Sequence, residues 1–188
     1  MSDEWHFYRW NFDRYATIRP QLRAAVRAET FASLSDTEEG TQVAEMFAEG
    51  EIPLLEAKSA WLTAECRLGD PIVFNAELPR FLNRIERKRE GEEIAEILSE
   101  LLFARVYLEQ WLEQTSICGI LPPIETARLS GLCRDYLQKN RTEIGAVRGG
   151  FFRRVFERNA TPDEIFPLLC DLVNEAVKAG NGTIAYQK

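Results

Sequence analysis

Trp5-His6-Phe7-Tyr8-Arg9-Trp10 is the densest aromatic stretch of the chain, and the fold class turns on how it is read. Aromatic residues favour strands, because their rings pack well on a pleated surface. Against this, Trp5, Tyr8, Phe12 and Tyr15 also fall on one helical face, so spacing alone does not decide. We read the stretch as extended. A second short strand is expected at Thr183-Ile184-Ala185-Tyr186, after the Gly180-Asn181-Gly182 turn. Chain ends commonly lie close together, so the two segments are expected to pair. Any such sheet would be minor, because the sequence between them is patterned as helix.

Working inward from the second strand, Ile165, Leu168, Leu169, Leu172, Val173, Ala176 and Val177 recur at helical spacing with polar residues between them. Thr161-Pro162-Asp163-Glu164 supplies a capping box and a first-turn proline, and Gly180 a left-handed stop. A long central helix is expected from about Glu92 to Gln114, with Ile94, Ile97, Leu98, Leu101, Ala104, Leu108, Trp111 and Leu112 on one stripe. Pro122-Pro123 opens another through Leu129, Leu132, Cys133, Tyr136 and Leu137. Thr142-Glu143 begins one weakened by Gly145, Gly149 and Gly150.

Nearer the first strand, a helix is expected to start near Pro20, burying Leu22, Ala25 and Val26. Ser35-Asp36-Thr37-Glu38 resembles a capping box leading to Val43, Ala44, Met46 and Phe47. Pro53 opens a helix through Leu54, Leu55, Trp61 and Leu62 that Gly69-Asp70-Pro71 closes. A last helix runs from Leu78 to about Arg89. With no internal repeat and no long linker, residues 1–188 read as a single mainly α domain. Its expected form is an irregular multi-helix bundle with a minor pairing of terminal strands.

A chain of 188 residues can bury roughly 70% of its unfolded surface, so a packed core needs no disulfide or metal. No apolar run approaches the length that spans a bilayer, and no membrane association is expected. Met1-Ser2-Asp3-Glu4 is acidic where a secretory signal would be basic, which favours the cytoplasm. Cys66, Cys118, Cys133 and Cys170 lack the short spacings of zinc or redox motifs and read as free core thiols.

Catalytic signatures are weak. Gly145-Ala146-Val147-Arg148-Gly149-Gly150 lacks the lysine and hydroxyl of a phosphate loop. His6 is the one histidine, so a nucleophilic cysteine would have to be Cys66 with His6 as its base, a pairing we do not favour. The acids Glu45/Glu49 and Glu92/Glu93/Glu96/Glu100 come without histidine partners and read as a solvated face. We therefore expect no catalytic residues, no metal site and no cofactor.

The cations are more informative. The net charge is -7, with 18 Arg against 5 Lys. An acidic chain gains little from a polyanion, so nucleic acid is not the expected partner. Arg80, Arg84, Arg87 and Lys88 form a same-sign ridge opposite Leu78, Phe81, Leu82 and Ile85. A like-charged ridge is easier to keep when it meets carboxylates, either on the helix after Glu92 or on a partner. Arg19, Arg23 and Arg27 form a shorter ladder. Arg148, Arg153, Arg154 and Arg158 surround Phe151-Phe152. Trp5, Tyr8 and Trp10 belong to residue types that anchor interfaces, although they also suit the covering of an open bundle end.

The reading is a non-catalytic cytoplasmic interaction or regulatory domain. Arg80, Arg84, Arg87 and Lys88, or Trp5, Tyr8 and Trp10, would hold an acidic protein surface or a second copy. The alternative is a small helical enzyme with a site of dispersed carboxylates and arginines. A deep pocket holding paired, desolvated acids would mark it.

Overall fold

In the structure, a computed structural model, residues 4–28, 35–75, 77–140 and 161–187 are described, without the side chains of 25–28. The expected elements at Thr142-Glu143, the Gly145–Gly150 segment and the arginines from Arg148 to Arg158 lie outside these residues.

The aromatic stretch forms β1 (Trp5–Trp10), and β4 (Gly182–Gln187) pairs with it antiparallel, in unbroken register from Trp5↔Gln187 to Trp10↔Gly182. The pairing expected of the two segments is present, but it is the centre of a larger sheet. β2 (Arg67–Phe74) adds outside β1 and β3 (Ile117–Leu121) outside β4, giving the order β2-β1-β4-β3. Neither outer strand was expected. β2 carries Gly69-Asp70-Pro71, which reads as a helix-closing turn. An edge strand tolerates proline because its N–H need not join a ladder. β3 is five residues long and buried throughout, so it lacks the alternation that marks a strand.

Alternation along β1 sends Trp5 and Phe7 to one face of the sheet and Tyr8 and Trp10 to the other, and both sets are buried. A sheet apolar on both faces needs helices on both. Packed against the Trp5/Phe7 face are α4 (Leu78–Glu86), α5 (Glu92–Ser99), α6 (Pro123–Lys139) and α7 (Pro162–Lys178). The Tyr8/Trp10 face carries α1 (Phe12–Ala28), α2 (Glu38–Ala48) and α3 (Leu54–Cys66). The chain is mainly helical with a small antiparallel sheet, as expected. Its helices do not form one bundle, because the sheet divides them into two layers with separate cores.

Two helices differ from their expected bounds for identifiable reasons. α1 starts at Phe12 because Asn11 caps it, its Oδ1 accepting from Arg14 N–H at 3.0 Å. Pro20 sits inside this helix on the exposed side, where the Ala16 carbonyl it leaves unbonded meets water. Tyr15, Ile18 and Leu22 form the buried side.

The long central helix is broken. After α5 the chain makes a π-helical turn, Glu100–Ala104, and Arg105 adopts a left-handed φ of 55°. Gly119 explains the close approach that follows: a Cβ there would lie 2.8 Å from Leu101 Cδ1 and 3.1 Å from the Leu101 carbonyl oxygen. The single apolar stripe thus serves two cores. Ile94, Ile97, Leu98 and Leu101 join the first, while Leu112, on the short turn Gln110–Leu112, joins the second with Leu108 and Trp111 against it.

α7 follows its sequence signals. Glu164 accepts from the Thr161 N–H at 2.9 Å, Pro162 opens the helix, and Gly180 stands at φ 69° beyond it. Leu169, Leu172 and Val173 are buried together, with Leu168 half-buried. Replacing Leu172 by Ala should cost about 2–5 kcal/mol through lost packing and a residual cavity. Urea unfolding measures this, and a variant as stable as the parent would contradict the placement of α7 over the first core.

Candidate functional site

α4 turns Leu78, Phe81, Leu82 and Ile85 into the core. Arg80, Arg84 and Arg87 are exposed on its other side, so the ridge expected from the sequence lies on the surface. Its partners differ from the expected ones. Arg84 pairs with Asp163 at the start of α7 and lies 5.3 Å from the Phe81 ring centre. Lys88 is half-buried, donating to Asn140 Oδ1 at 3.1 Å with the Tyr136 ring 5.9 Å away. The acidic helix after Glu92 instead meets Arg128, which reaches Glu93 at 3.3 Å.

The aromatic candidates are buried. Trp5 is 5% exposed and Trp10 fully covered, so neither offers a surface to a partner. Their burial follows from β1 being a central strand covered on both faces. Tyr8 is buried too, but it lines a groove of about 510 Å³ on the second face.

Three features build this groove. On the sheet, His6 and Tyr8 project from the same side of β1, and Tyr186 is the register partner of His6, so three rings share one floor. Beside them the ladder is bulged: Phe7 pairs with Ile72 and Arg9 with Leu68, leaving Gly69, Asp70 and Pro71 opposite Tyr8 alone. Gly69 takes the positive φ of 76° that this bend needs. Above the floor, α3 offers Ala60, Thr63 and Ala64, and these small side chains leave the space open. Val43, Met46, Gln42 and Glu39 of α2 complete the wall.

α2 is held in place by Glu65, whose side chain is fully buried. Glu65 Oε1 accepts from the backbone N–H groups of Asp36 and Thr37 at 3.0 and 3.1 Å and from the Thr37 hydroxyl at 2.9 Å. Its Oε2 accepts from Arg14 Nη2 at 2.6 Å. Thr37 in turn accepts from Gly40 N–H at 2.9 Å and caps α2. The capping glutamate expected at Glu38 is thus supplied by another helix, which no local pattern reveals. Gly40 is needed there, because a Cβ would lie 2.2 Å from Glu65 Oε1.

Across the groove, Arg67 Nη2 reaches both Glu39 carboxylate oxygens at 2.7 Å. Burial pushes the Tyr8 phenol above its usual range, with the neighbouring Arg67 cation opposing this. His6 lies 3.4 Å from the Glu4 carboxylate. Cys66 is no nucleophile for it: burial pushes that thiol up against the opposing pull of Arg14, and the residue is sealed in the second core. Among the described residues no three His, Cys, Asp or Glu gather as a metal ion requires. None of their helices is long and apolar enough to cross a membrane.

Sequence reasoning singles out Tyr8 as an interface anchor and His6 as a base for Cys66, and it gives no signal for Glu39, Thr63, Arg67 or Tyr186. Together these groove residues come from five elements, joined by the missed strand β2. No protein-family model, curated protein or solved structure matches the chain.

Two outcomes follow from this geometry. Glycine to alanine inside a helix ordinarily stabilises by up to about 1 kcal/mol. At Gly40 it should instead destabilise by about 1–3 kcal/mol, because Glu65 must move, and a more stable variant in urea would contradict the polar knot. The four cysteines are buried, and burial pushes the Cys118 thiol up to about 11. At pH 8 its thiolate is then roughly one part in a thousand. Iodoacetamide should leave the native protein unmodified over minutes and add four groups after denaturation, read by mass. Rapid native labelling would show that the cores open.

Proposed function

We propose that the protein is a non-catalytic interaction or regulatory protein of the reducing cytoplasm, and that Arg80, Arg84 and Arg87 on α4 hold an acidic protein surface. The observation that carries this reading is the orientation of α4, which buries its apolar side and leaves the three guanidinium groups exposed. The Arg84–Asp163 pair does not block it. Both side chains are about half exposed, at 55% and 50%, and such pairs are worth only about 0–1 kcal/mol. A partner carboxylate can replace Asp163, and a guanidinium fork offers it two parallel hydrogen bonds. Lys88 takes a smaller part, since Asn140 and Tyr136 already engage it. On a molecule of net charge -7, a compact cationic ridge also orients an acidic partner during encounter.

The enzyme reading has less support. Glu39 in the groove is matched by Arg67 and the pair is exposed, while the buried carboxylate of Glu65 is fully engaged in holding α2. Neither is the desolvated acid pair that a motif-free active site would use.

A fluorescein-labelled octaglutamate peptide tests the proposal by anisotropy across a salt series, with octalysine as the control. Replacing Arg80, Arg84 and Arg87 together by Glu should weaken octaglutamate binding by about tenfold or more and flatten its salt dependence, leaving the circular dichroism spectrum unchanged. Light scattering on the same pair of proteins separates a foreign partner from a second copy, since only self-association makes the parent larger than the variant. Equal peptide affinity in parent and variant would remove the ridge as the binding surface.

A further inference from the structure

The groove on the second face has no part in the ridge proposal, yet several independent features give it the character of a ligand site. Its volume, about 510 Å³, lies within the range of small-molecule pockets, about 300–1,000 Å³. The floor is aromatic: His6, Tyr8 and Tyr186 share one face of the two central strands, which pair without a register shift. The wall across from it is unusually small, because Ala60, Thr63 and Ala64 stand at helical spacing on one side of α3. Rings on one side and small groups on the other leave a slot, which suits a flat molecule stacked on the floor.

The bulge at Gly69-Asp70-Pro71 sits beside Tyr8, at the rim of this slot. Bulges of this kind are concentrated next to functional sites, where they re-aim side chains. Here it opens the ladder at Tyr8, one of the two β1 residues that line the groove. Thr63 lines the same space, and its hydroxyl has no hydrogen-bond partner among the described residues. The oxygen is closed off from solvent, so a ligand reaches it when the Thr63 side chain turns towards the slot, and the hydrogen bond then formed replaces the ones that burial denies it.

Charge sets the ligand class. The full charges on the lining are Arg67 and Glu39, joined at 2.7 Å, so they cancel. An anionic ligand would compete with Glu39 for Arg67 and a cationic one with Arg67 for Glu39, a modest disadvantage because the pair is exposed. A neutral ligand breaks no ion pair.

We propose that this groove binds an uncharged, planar heteroaromatic molecule of one or two rings, stacked on His6, Tyr8 and Tyr186 and hydrogen-bonded at its edge by Thr63 and Gln42. The experiment uses the full ¹⁵N-labelled chain and four defined probes. Adenine and nicotinamide represent the neutral class, and benzoate and benzylamine are charged counterparts of similar size. Amide shifts should be saturable with the neutral probes and centred on Tyr8, Thr63 and Tyr186, with the charged probes severalfold weaker. Thr63→Val should weaken the neutral probes by about tenfold with the spectrum otherwise kept. Ala64→Leu, which fills the slot, should abolish their shifts. Should Ala64→Leu fail to fold, Gln42→Ala at the exposed mouth serves as the second variant and should weaken binding severalfold. The proposal is overturned by an absence of groove shifts at about 5 mM of either neutral probe, a range well above typical ligand affinities. Tighter binding of benzoate or benzylamine would refute the neutral class. Unchanged affinity in Thr63→Val together with Ala64→Leu or Gln42→Ala would place the binding elsewhere.

Discussion

Everything in this molecule is arranged around the pairing of β1 with β4. Six consecutive residues of each strand lie in register, and β1 is apolar on both faces. Antiparallel sheets commonly leave one face to water, with polar residues alternating outward. Here Trp5 and Phe7 on one side, and Tyr8 and Trp10 on the other, require cover twice over. Two helical layers provide it, and Trp5, Phe7, Tyr8 and Trp10 each thereby belong to a core, while His6 and Arg9 stay half-buried.

This constraint also separates the two surfaces with functional character. The arginine ridge is carried by the layer over the first face, and the groove lies under the layer over the second. They depend on different supports. α4 is fixed by ordinary apolar packing, with Phe81 against the Phe166 ring at 5.2 Å between centres. α2, which walls the groove, has only Ala44 and Gly40 fully buried along its length. A helix with so little buried surface needs another anchor, and the hydrogen bonds to Glu65 supply one. A buried carboxylate is costly without partners, so the knot is as much a requirement of Glu65 as a support for α2.

The legible parts of the fold were those with local causes. The α7 cap at Thr161, the apolar side of α4 and the extended form of Trp5–Trp10 all follow from residues within a turn or two of each other. The outer strands were hidden because their causes are distant. β2 contains a glycine and a proline that forbid a central strand and are harmless at an edge, and position in a sheet is not written locally. The stripe from Ile94 to Leu112 looked like one helix because both cores demand apolar residues, and only the contact of Gly119 with Leu101 shows where the chain must turn. The ridge was visible since a helix displays its charge pattern in four-residue steps. The groove was not, since it joins single residues from β1, β2, β4, α2 and α3 through strand register.

The central claim is that β1 and β4 are the common floor of both cores and therefore open only when the whole molecule unfolds. Native-state hydrogen exchange across a low-urea series tests it most directly, residue by residue. The account predicts that the amides of Phe7, Tyr8, Ile184 and Ala185 share one opening free energy, equal to that of global unfolding and with the same urea dependence. If β1 or β4 exchanged through an opening smaller than that of the helices packed on it, the sheet would be a late addition to a helical bundle and the account would be wrong.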